Sequence, residues 1–159
     1  MIRVFKITRK KYAGEAFSGK GSLLHGGRWH GRGSLVVYTA SSEALAALET
    51  LVHVEPSTLP VDLMILPADI PDGLKMEKIL RDELPKNWNS YPAPEFLQEL
   101  GQNWLSRKRS AVLCVPSAII PTANNYLLNP LHAEFARIDI KKSESTPFVF
   151  DKRLVQKKP

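Results

Sequence analysis

The chain has 159 residues, 43% of them hydrophobic and 24% charged, with a net charge of +6 and a pI near 9.5. That length fits one domain with a sizeable core, and the composition is that of an ordinary soluble globular protein. No run approaches the roughly 20 apolar residues that span a bilayer, and the opening MIRVFKITRKKY lacks a signal-peptide apolar core, so a cytosolic protein without a membrane role is expected.

In chain order, residues 2–7 alternate as a strand, and residues 12–24 read as irregular structure. Residues 26–53, GGRWHGRGSLVVYTASSEALAALETLVH, then read as loop, strand, turn and helix. Leu45, Leu48 and Val52 fall at helical spacing, with Ser41 or Ser42 as the N-cap. Glu49, four residues after Leu45, is placed at the edge of that apolar stripe, not on the outward face with Glu43. Residues 59–66 suggest a strand bounded by Pro60 and Pro67, and a short helix is expected near residues 75–82. A second amphipathic helix is expected over residues 94–106, with Phe96, Leu97, Leu100 and Trp104 on one side and the Arg107-Lys108-Arg109 cluster at its negative end. Residues 111–115 form a short buried strand that takes in Cys114, the only cysteine, and it stops at Pro116-Ser117. Residues 124–130 read as an amide-rich loop; residues 135–140 and 148–150 as final strands. The sum is a mixed α+β domain over residues 1–150 with a basic tail at 151–159.

The positive charge suggests an anionic partner: nucleic acid, an acidic protein or a phosphorylated small molecule. No zinc-finger, Walker or dinucleotide fingerprint is present, and the four histidines have no metal-ligand spacing. The candidates for chemistry are therefore few. Glu49 is either a functional carboxylate or one half of a structural ion pair with Arg28 or another base. Tyr38 is either a site residue or a strand aromatic filling core. Ser117, at a strand end, is either functional or a turn serine.

The two long runs GGRWHGRGSLVVYTASSEALAALETLVH and NWLSRKRSAVLCVPSAIIPTANNYLLNP resemble the RES domain, the toxin half of bacterial RES-Xre toxin-antitoxin pairs. The resemblance extends from RVFKITRKKYA to FARIDI and places the family's arginine, tyrosine, glutamate and serine on Arg28, Tyr38, Glu49 and Ser117, and its loop asparagine on Asn125. His30 stands where asparagine is expected. The resemblance implies a fold similar to diphtheria-type ADP-ribosyltransferases, with NAD+ as substrate and no cofactor. It also implies a cytosolic toxin neutralised by an Xre-type antitoxin that covers the active site, with DNA reached only through that partner.

Cleavage of the nicotinamide–ribose bond builds positive charge on the sugar, so such a site needs a carboxylate near the ribose and a cation for the pyrophosphate. Glu49 and Arg28 suit these tasks; Tyr38 would stack on nicotinamide or orient the ribose, and Ser117 and Asn125 would bond the carboxamide or the ribose. Water, phosphate or a host protein could accept the ADP-ribose. A basic nucleic-acid-binding protein and a non-catalytic interaction module are the competing classes.

Overall fold

Four β-rich runs of the sequence meet at the centre of one sheet. In a computed structural model, which describes residues 1–154, β1 (Ile2–Arg9) pairs antiparallel with β2 (Val37–Ala40) on one side and along its whole length with β3 (Leu63–Ile70) on the other. β2 pairs with β6 (Asn124–Leu128), β6 with β5 (Val112–Pro116), and β5 in parallel with β4 (Met76–Lys78). At the far edge β3 takes two short partners, β7 (Asp139–Ile140) and β8 (Thr146–Phe148), so the order is β4-β5-β6-β2-β1-β3-β7 with β8 also on β3.

Strand periodicity gives the sheet two apolar faces. Val4, Val37, Leu66, Ala68, Val112, Cys114, Tyr126 and Leu128 lie on the first, closed by Phe17 and Ile138 from the connecting turns. On the second face Leu113, Val115 and Leu127 pack under Trp29, Trp88 and the second helix, α2 (Glu95–Arg107), while Ala40 packs under the first helix, α1 (Glu43–Leu51). Among the described residues no helix is long and apolar enough to cross a membrane.

The structure moves several expected boundaries, each for a physical reason. The strand expected at 59–66 runs from Leu63 to Ile70 with Pro67 inside it; Pro67 sits where the outer edge passes from β8 to β7, a gap in the ladder that tolerates a residue without an N–H. The short helix expected near 75–82 is the edge strand β4 followed by one 3₁₀ turn, because pairing with β5 outweighs local preference. The amide-rich "loop" at 124–130 opens with the central strand β6, whose Tyr126, Leu127 and Leu128 are buried. The alternating 135–140 run is mostly a 3₁₀ turn, Ala133–Arg137, with only Asp139–Ile140 in the sheet. In the basic tail, Lys157 and Lys158 lie outside the described residues.

On the first face, Lys6 shares its side with Val4 and reaches the Tyr38 carbonyl at 3.5 Å. Burial pushes its ammonium down to about 8 from 10.5. Between those values the unfolded chain binds more protons than the folded one, so the cost of charging Lys6 is fully present below pH 8 and is relieved as pH rises to 10.5. Lys6→Met should therefore raise unfolding free energy at pH 7 by about 2–3 kcal/mol and flatten the rise above pH 8. Urea melts at pH 7 and pH 10 check this, and a less stable variant at pH 7 would refute it.

Candidate active site

The site forms on the second face because the pairing register puts its residues there. Tyr38 lies opposite Leu127 and Ala40 opposite Asn125, so Tyr38 and Asn125 project to the same side from neighbouring strands. Ser117 follows β5 directly, and its N–H donates to the Ala123 carbonyl, closing the β5–β6 turn above Asn125. α1 starts three residues after β2, its N-cap Ser42 accepting the Leu45 N–H, which lays Leu45 and Ala46 on Ala40. Glu49 is one turn on from both and reaches the same spot. Leu48 and Val52, expected in the apolar stripe, are 36% and 60% exposed instead; the buried face consists of Leu45, Ala46 and the inner side of Glu49.

Among the described residues Glu49 is held by hydrogen bonds, not by a salt bridge. Its Oε1 accepts from Ser117 Oγ at 2.8 Å and from Asn125 Nδ2 at 2.5 Å. Ser117 is fully buried, and its Oγ also accepts the N–H groups of Ile119 and Ile120 at 3.1 and 3.0 Å. A hydroxyl has one donor and two acceptor sites, so Ser117 is saturated and its hydroxyl serves to orient the carboxylate. Among the described residues Asn125 Oδ1 is buried without a partner, whereas Oε2 of Glu49 is neither hydrogen-bonded nor buried. One carboxylate oxygen is thus fixed and the other is open.

Arg28 enters from the Gly-rich loop. Its Nη1 donates to the Trp88 carbonyl at 2.7 Å and its Nη2 to the Ser90 carbonyl at 3.1 Å, so the guanidinium ties two segments distant in sequence. Partial burial pulls its proton affinity down, while the charge of Glu49 and then Tyr38 act in the opposite sense; an arginine remains cationic throughout. Arg28 and Glu49 interact through space only, and the ion pair that spacing alone allowed is not formed among the described residues. The loop is braced from behind: Gln98 Nε2 of α2 donates to the Gly27 carbonyl at 2.9 Å, and the Gly27 N–H to the His30 carbonyl at 3.0 Å.

Tyr38 stands in the field of both charged groups. Burial pushes its phenol well above the usual range, so it stays protonated, and its Oη accepts the Trp29 N–H at 3.2 Å and lies 2.8 Å from His30 Nδ1. Arg28, Tyr38, Glu49, Ser117 and Asn125 therefore gather at one place on the second face. Sequence reasoning did not find the roles of Trp88, Ser90 and Gln98. Two of these act through main-chain carbonyls, which leave no mark in residue type.

Residues 3–151 match the protein family described as RES domain. The chain is similar to "Toxin Res" of Photorhabdus laumondii subsp. laumondii, 40% identical over 155 residues, covering 98% of each. It is also similar to "Prs ADP-ribosylating toxin" of a Sphingobium species, 35% identical over 150 residues, 93% of this chain and 92% of the relative. Among solved structures, it aligns with a chain of the crystal structure of the M. tuberculosis MbcT-MbcA toxin-antitoxin complex, with a TM-score of 0.73 at 15% identity over 96% of this chain and 86% of that one, a likeness of fold. The architecture is the expected α+β domain similar to the ADP-ribosyltransferase fold, and by the extent of the family match and the identity to its relatives the chain belongs to the RES domain family.

Proposed function

We propose that this chain is the toxin of a toxin–antitoxin pair and depletes cellular NAD+ by cleaving the nicotinamide–ribose bond. The observation that carries this reading is Glu49, fixed through Oε1 by Ser117 and Asn125 with Oε2 open. A carboxylate already oriented before substrate arrives stabilises developing positive charge on the ribose without reorganising. Oε2 would accept a ribose hydroxyl while the sugar becomes oxocarbenium-like and nicotinamide leaves. Asn125 Oδ1, a buried acceptor in search of a donor, would take a ribose hydroxyl or the carboxamide N–H. The N–H groups of Arg28 not spent on Trp88 and Ser90 would hold the pyrophosphate. NAD+ is then the substrate, and no cofactor takes part.

Two likenesses support the biological setting. Relatives are named toxins, and the aligned solved structure is a toxin–antitoxin complex, which fits a cognate Xre-type antitoxin covering this site in the cytosol. The name of the Sphingobium relative favours a second reading, transfer of ADP-ribose to a host protein. Mass spectrometry of NAD+ incubated with purified chain, with and without phosphate, separates these. Free ADP-ribose means water is the acceptor, ADP-ribose phosphate means phosphorolysis, and loss of NAD+ only with a cell extract means a protein acceptor. Intact NAD+ under all three conditions would overturn the proposal. In the same assay Arg28→Ala should raise the KM for NAD+ about tenfold or more with a smaller change in kcat. An unchanged KM would remove Arg28 from the phosphate role.

A further inference from the structure

Tyr38 is joined to a side chain that the chemistry above does not use. His30 is 3% exposed and its ring lies against the phenol, centroids 5.5 Å apart at 56°. His30 Nε2 is 3.0 Å from the His25 carbonyl and 3.2 Å from that of Ser22. Carbonyls only accept, so Nε2 carries a proton, and in the Nε2–H tautomer Nδ1 is an acceptor. That acceptor faces Tyr38 Oη at 2.8 Å, and Oη already accepts the Trp29 N–H. Among the described residues the phenol hydrogen then has one acceptor. Trp29 N–H donates to Tyr38 Oη, Tyr38 O–H donates to His30 Nδ1, and His30 Nε2–H donates to two loop carbonyls.

We infer that His30 is the positioning residue of this site: by accepting the hydrogen bond of the Tyr38 hydroxyl it fixes the phenol, so that Tyr38 serves substrate through its ring and not through its hydroxyl. The local sequence is built around this contact. A Cβ at Gly27 would lie 2.8 Å from both Tyr38 Oη and His30 Cε1, so only glycine lets the pair close. The hydroxyl is engaged on the loop side, and the same loop that carries Arg28 thereby sets the ring's orientation.

The inference rests on the NAD+ reading of the site, and the test keeps the two apart. In asparagine the amide oxygen takes the place of Nδ1; in glutamine the amide reaches the place of Nε2; leucine offers neither. His30→Asn should keep kcat within about threefold of the parent, while His30→Gln and His30→Leu should lower it roughly 10- to 100-fold with KM changed little. Tyr38→Phe should match the leucine variant, and adding His30→Leu to it should cost nothing further. Nitrogen-15 NMR of the parent should report the Nε2–H tautomer of His30, with an Nδ1 resonance that moves in Tyr38→Phe. Equal effects of asparagine and glutamine, additive losses in the double variant, or an Nδ1–H tautomer would each overturn the inference. Should the leucine variant fail to fold, the asparagine–glutamine contrast and the NMR of the parent still decide it. If the parent consumes no NAD+, the proposed function fails, and the NMR arm alone decides whether His30 holds Tyr38.

Discussion

Glu49→Gln is expected to lower NAD+ consumption by about 10³-fold while leaving the melting temperature within a few degrees of the parent. The amide oxygen of glutamine can occupy the place of Oε1 and accept from Ser117 Oγ and Asn125 Nδ2 as the carboxylate does. The fully buried Ser117 thus keeps its partner and no new unsatisfied donor appears. What the substitution removes is the negative charge at the open position. A neutral amide there presents N–H groups to a sugar acquiring positive charge, so ground-state binding changes little and the loss falls on the transition state. The expected signature is a collapse of kcat at nearly constant KM, measured by chromatography of remaining NAD+ alongside a thermal melt. A folded Glu49→Gln protein within tenfold of the parent rate would remove the carboxylate from the mechanism.

The sequence shows the chemistry of this site more clearly than its geometry. α1 is legible because Ser42 is a cap and the Ala-rich run a strong helix former, yet the same pattern assigns Leu48 and Val52 to the core and they are exposed. Periodicity gives the direction of a stripe, but the short α1 buries only the part that lies over Ala40, and Glu49 comes in at its edge. α2 differs in the same way: the buried line is Leu97, Gly101, Trp104 and Leu105, with Leu100 37% exposed. β6 is hidden because Asn124 and Asn125 carry turn propensity, while pairing on both sides with β2 and β5 fixes an extended backbone. That misreading bears directly on the site, since Asn125 reaches Glu49 from a strand and not from a flexible loop. Long-range partners such as Arg28 with the Trp88 and Ser90 carbonyls are illegible for a simpler reason: any residue supplies a carbonyl.

Gly101→Ala is expected to lower the melting temperature by about 5–15 °C, against the local preference of the helix it sits in. In isolation, alanine inside a helix is favoured over glycine by about 1 kcal/mol. Here a Cβ at position 101 would lie 1.8 Å from the Trp29 carbonyl oxygen and 2.7 Å from its carbon. Both are backbone atoms, so no side chain can rotate away, and α2 must part from the loop by more than 1 Å. Trp29 and Trp104 are 2% and 3% exposed on either side of that contact, and their shared core would open. The cost, roughly 2–4 kcal/mol, exceeds the helix gain. The same displacement strains the Gln98 bond to Gly27 and shifts Arg28 in the next position, so any folded fraction should also show a raised KM for NAD+. Scanning calorimetry paired with the NAD+ assay measures both. A melting temperature equal to or above the parent's would mean that α2 and the GGRWH loop are not in backbone contact, and the bracing of Arg28 from behind would go with it.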